Sequence, residues 1–61
     1  MIEQETVLAL IEAKEQLEKA RDMLFDYRLD EQGNTREAVW SAHGRVCHAW
    51  ALIESILAKG R

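Results

Sequence analysis

Hydrophobic residues in the first half of the chain recur at Leu10, Ala13, Leu17, Ala20, Leu24 and Tyr27, with steps of three and four in strict alternation. The second half repeats the scheme with Val39, Ala42, Val46, Ala49, Ile53 and Ile56. This is the a/d spacing of helices that pack lengthwise against a partner. A large residue follows a small one along most of both rows, so facing layers can interdigitate at short interaxial distance. The pattern predicts an all-α antiparallel hairpin that forms one domain over residues 1–61. Its elements are a helix over about 2–29, a turn at about 30–34 and a second helix over about 35–58.

Local signals frame these boundaries. Glu3 and Glu5 suit the positive end of a helix dipole. Gly33 can take the left-handed conformation that ends a helix, and Asn34 or Thr35 can cap the next, with Glu37 completing a capping box from Asn34. The Lys59-Gly60-Arg61 tail places positive charge at a helix C-terminus. Gly44 sits inside the second helix at a cost of about 1 kcal/mol relative to Ala, which points to a close helix approach or a contact surface there.

The second helix is apolar over more than one seam. Val39, Ala42, His43, Val46, Ala49, Trp50, Ile53, Ile56 and Leu57 fall within an arc of roughly 140°, more than one neighbouring helix covers. Trp50 lies within that arc and is expected in the core. The first helix adds an offset stripe of Val7, Ile11, Phe25 and Leu29, interrupted by Lys14, Glu18 and Arg21. A 61-residue chain with one cysteine has neither the core of a larger domain nor an internal disulfide. Self-association of two hairpins into a four-helix bundle is the expected source of the missing burial.

Charge changes the picture in one respect. Residues 1–33 hold nine acids and four bases, and residues 34–61 hold two acids and four bases, for a chain total of −3. The halves attract each other, which favours hairpin closure and an assembly that sets unlike helices side by side. The orientation of the two hairpins stays open. The acidic N-terminus is unlike a secretory leader, no apolar run is long enough for a membrane span, and a lone cysteine fits a reducing compartment. A cytoplasmic location is the expectation.

Few residues suggest chemistry. His43 and Cys47 are one turn apart and are the weak candidates for a shared metal, although a packed histidine beside a small buried thiol is the better explanation of the pair. No third group is evident to orient the imidazole, so no catalytic residue, and no cofactor, is assigned. Trp40 stands about 100° from the centre of its seam, where a simple bundle has no use for an indole. It is a candidate interface anchor together with Phe25, Leu29 and the surface around Gly44; the plain alternative is that Trp40 covers the hairpin end.

The whole-chain layout, a helical hairpin with alternating small and large seam layers, resembles the plasmid-encoded Rop-type RNA-binding proteins. That resemblance implies a dimeric four-helix bundle and an RNA partner, without a residue-by-residue match of the RNA-contacting positions. Lys14, Arg21 and Arg28 recur every seven residues and form the stripe that would follow phosphates. The same stripe is what a solvated bundle flank looks like, and the net negative charge counts against a nucleic-acid partner. The leading expectation is a small non-catalytic regulator, adaptor or inhibitor that binds another protein as a homodimer. Rop-type RNA binding is the alternative, and metal or small-ligand binding in the bundle the second.

Overall fold

In a computed structural model, which describes residues 3–60, the chain is two helices packed against each other. Helix α1 spans Gln4–Asp26 and helix α2 spans Glu37–Gly60. The Cα atoms extend over 49 × 14 × 12 Å, the shape of a single slender hairpin. No helix among the described residues is long and apolar enough to cross a membrane.

The helix ends differ from those expected at three places. Helix α1 stops at Asp26 instead of near Leu29, α2 starts at Glu37 instead of Thr35, and α2 runs on to Gly60 instead of ending at about Ala58. The expected start at residue 2 lies outside the described residues, as does Arg61, and α1 begins at Gln4 behind Glu3. The cause of the two inner differences is the connection, a small structure in its own right. The Asp30 carboxylate accepts from the backbone N–H groups of Gln32 and Asn34, both at 2.9 Å. The Asp30 N–H donates to the Asn34 carbonyl at 2.8 Å, and Gly33 closes the turn through its N–H to the Asp30 carbonyl at 3.1 Å. Gly33 has φ +86°, where a Cβ is strained, so glycine is the fitting residue here. A single antiparallel bridge pairs Leu29 with Thr35, and the Arg36 N–H donates to the Arg28 carbonyl at 2.7 Å. Asn34 and Thr35 are thereby engaged with the returning strand of the loop and neither occupies the position preceding α2. The carboxylate of Asp30 is held below its ordinary value of 3.8, chiefly by the Asn34 N–H, with burial opposing and the Gln32 N–H and Arg36 assisting.

The helices meet in a constant register. Lys14 Nζ bonds Glu54 Oε2 at 2.7 Å, Trp50 Nε1 donates to Glu18 Oε1 at 3.0 Å, and the Phe25 and His43 rings lie 5.9 Å apart. The residue numbers of each pair add to the same value, as antiparallel helices without slippage require. Lys14 and Glu18, which interrupt the apolar stripe in the sequence, therefore turn toward α2. Lys14 Nζ also lies 5.6 Å from the centre of the Trp50 ring.

These polar contacts line one side of the helix–helix contact. Helical geometry places Val7, Ile11, Lys14 and Glu18 on the same flank of α1, and Trp40, Cys47 and Glu54 on the matching flank of α2. The opposite flank gathers Ala13, Ala20, Leu24 and Tyr27 with Ala42, Ala49, Ile53 and Ile56. Both seams thus reach the same face of the hairpin, where Tyr27 and Ile56 are exposed and the other six residues are half-buried. Leu57, 1% exposed, is the sole buried side chain among the described residues.

Candidate interaction site

At the loop end, the polar flank gives way to a row of aromatic and cationic groups. The short step from α1 into the loop brings Arg28 back over the last turn, where its guanidinium carbon lies 3.7 Å from the centre of the Phe25 ring. Arg28 Nη1 also donates to the Phe25 carbonyl at 2.7 Å. A cation is thus placed on the Phe25 carbonyl, which also accepts the Arg28 N–H, at the end of α1 where the helix dipole is negative. Arg36 does similar work from the other side of the loop, its Nη1 donating to the Tyr27 carbonyl at 3.3 Å.

From Phe25 the row continues onto α2. The Phe25 ring is tilted 47° to His43, and His43 is stacked on Trp40 with centroids 5.0 Å apart and 3° between the planes. Trp40 and His43 are three residues apart on one helix, so the pairing follows from helical geometry. Behind them the Cys47 sulfur lies 3.8 Å from His43 Nδ1 and 3.9 Å from Nε2. Near-equal distances to both nitrogens do not direct the thiol along either ring lone pair. Among the described residues no group of three or more His, Cys, Asp or Glu side chains is disposed to hold a metal ion.

Trp40 keeps 48% of its surface exposed even though it is stacked. With Arg28, Leu29 and Thr35 it lines a cleft of about 280 Å³ between the loop and the first turn of α2. Phe25 and Leu29 are exposed beside it. The arrangement offers an aromatic face, an aliphatic wall, a hydroxyl and a guanidinium within one concavity, a combination suited to an apolar side chain flanked by an acceptor group. Helix α2 brings Trp40 to the loop, and the Leu29–Thr35 bridge sets the cleft's opposite wall.

Other residues singled out from the sequence take separate places. Gly44 lies in α2 with an open surface around it, and a Cβ added there meets nothing within 4 Å, so the helices make no close approach at this glycine within the hairpin. Trp50, half-buried, sits among the helix–helix contacts through Glu18 and Lys14. The three cations of the proposed phosphate stripe each have an interaction within the hairpin: Lys14 with Glu54, Arg21 with Asp22 at 3.4 Å, and Arg28 with Phe25. The contribution that sequence reasoning missed is that of Arg28 and Thr35 to the cleft. Arg28 was visible only as one tooth of a heptad charge stripe, and Thr35 only as a possible cap. No protein-family model matches the chain, and no curated protein or solved structure matches it.

Proposed function

We propose that this protein is a small non-catalytic protein-binding module, a regulator, adaptor or inhibitor, that acts as a homodimeric four-helix bundle and engages its partner through the Trp40 cleft. The observation that carries the partner-binding reading is that the exposed Trp40 and Leu29 line one concavity together with Arg28 and Thr35, with Phe25 exposed at the same end of the hairpin. Exposed tryptophan and arginine together are the side chains that most often anchor a protein partner.

Dimerisation rests on surface area. A folded monomer of 7.0 kDa is expected to expose about 4,000 Å², whereas this hairpin exposes 4862 Å². The excess is about what one partner contributes to an interface of standard size, roughly 800 Å². We assign that excess in part to the seam face, which carries the exposed Tyr27 and Ile56. The ion pairs of Lys14 with Glu54 and of Arg21 with Asp22 favour a protein partner over RNA, because a cation already paired releases less free energy on meeting a phosphate.

The test compares the wild-type chain and Trp40→Ala as affinity baits under matched conditions, with helicity and solution mass measured on both. A partner recovered by the wild type and lost from a folded, dimeric Trp40→Ala supports the reading. An unchanged set of recovered proteins removes the Trp40 cleft as the binding site.

A further inference from the structure

The seam face fixes how two hairpins meet, a question that rests on the homodimer proposed above. Two symmetric stackings bury this face. With the loops at opposite ends, α1 lies along the partner's α1 and α2 along the partner's α2. With the loops at the same end, each α1 lies along the partner's α2, and each pair of neighbouring helices in the bundle is antiparallel.

Charge separates the two. Helix α1 carries six acids and three bases, whereas α2 carries two of each. Loops at opposite ends would run two acidic helices side by side and would bring Arg45 of one α2 level with Lys59 of the other when the hairpins are in full overlap. Loops at the same end keep the register of the hairpin, because a two-fold axis along the bundle leaves every residue at its own height. Lys59 then lies at the height of Ala9 of the partner's α1, between its Glu5 and Glu12. Such rim charges contribute little to affinity individually, but like-charge contacts in the competing arrangement decide between geometries.

Side-chain size points the same way. In the shared register, Tyr27 is within one residue of the height of Ala42, and Ile56 within one of Ala13. Tyr27 and Ile56 of one copy thus each meet an alanine on the unlike helix of the other, the large-to-small complement that close packing requires. In the opposite stacking, Ile56 again comes within one residue of an alanine, Ala49, but Tyr27 meets the Glu5 end of α1, so Tyr27 is the side chain that discriminates. We propose that two copies of this chain pair through the seam face with their loops at the same end, α1 of each on α2 of the other. Both Trp40 clefts then lie at one end of the bundle on its two outer faces.

The test places a spin label at Gln32→Cys in a Cys47→Ser background and measures the label-to-label distance in the dimer, after sedimentation has established the mass. The expected distance is within about 25 Å, a little over two helix spacings. A dimer whose distance approaches the 49 Å length of the hairpin overturns the orientation while leaving dimerisation intact. A monomer at all concentrations overturns dimerisation itself, and the orientation with it. Wild-type protein gives a second measurement: carbodiimide coupling in a mixture of light and isotope-labelled chains is expected to join Lys59 to Glu5 or Glu12 between copies. Coupling within single chains alone counts against the arrangement.

Discussion

Replacing Ile56 by Ala tests the proposed assembly, because only about half of Ile56 is covered in the hairpin and the rest would be covered in the dimer alone. In the isolated hairpin this side chain is 46% exposed, whereas its neighbour Leu57 is 1% exposed. Complete burial of an isoleucine side chain contributes about 1.5–3 kcal/mol, so covering the remaining half contributes roughly 1 kcal/mol per copy. Two copies lose it together. The dimer is thus expected to weaken by about 2 kcal/mol, close to thirtyfold in its dissociation constant. Sedimentation equilibrium over a dilution series measures this directly, with helicity at each concentration showing that the chain stays folded. Leu8→Ala is the control, since Leu8 is 56% exposed and lies on α1 away from the seams; its dissociation constant should stay within threefold. A dissociation constant for Ile56→Ala within threefold of the wild type would refute the assignment of the seam face as the dimer interface.

Leu57→Ala removes the one enclosed side chain and is expected to destabilise by about 2–5 kcal/mol in urea unfolding, the range for large-to-small changes in a packed site. A loss under 1 kcal/mol would show that Leu57 has no packed surroundings. Gly44→Ala is expected to stabilise α2 by about 1 kcal/mol, since the added methyl meets open space, and a thermal melt showing a lower midpoint would contradict that. Asp30 carries a folded-state pKa below its ordinary value, so its contribution is present above about pH 4 and is lost as pH falls through the lower folded value. Acid unfolding of Asp30→Ala should therefore lack part of the wild-type pH dependence in that window; identical acid profiles would contradict the loop geometry.

The hairpin itself was legible because both seams persist without interruption, and a strict three-four alternation has few other readings. What the sequence concealed is pairing across the helices. Lys14 and Glu18 look like breaks in an apolar stripe until the register sets them opposite Glu54 and Trp50. Register is a property of two helices together, and neither pattern contains it alone. The early end of α1 was hidden for a related reason. Tyr27, Arg28 and Leu29 continue the helical pattern, but Asp30 binds two backbone N–H groups ahead of it, and the Leu29–Thr35 bridge claims the backbone that a longer helix would need. At the candidate site, the grouping of Trp40, Phe25 and Leu29 at the loop end followed from counting residues. The stacking of His43 on Trp40 and of Arg28 on Phe25 did not, since each depends on rotamers chosen by neighbours on the other helix or in the loop.

The Asp30 loop is also expected to set the order in which the chain folds. Its hydrogen bonds span at most four residues, apart from those that join Arg36 to Arg28 and Tyr27, so the turn forms at small loop-closure cost, before the distant ends of the helices meet. Closure then propagates outward, like a zip, toward Ile11 and Leu57. Substitutions in the turn should accordingly slow folding, and those at the far end should chiefly hasten unfolding. The seam face is complete only when the zip has run its length, so the proposed association of two copies is expected to come last, with an overall rate that depends on concentration.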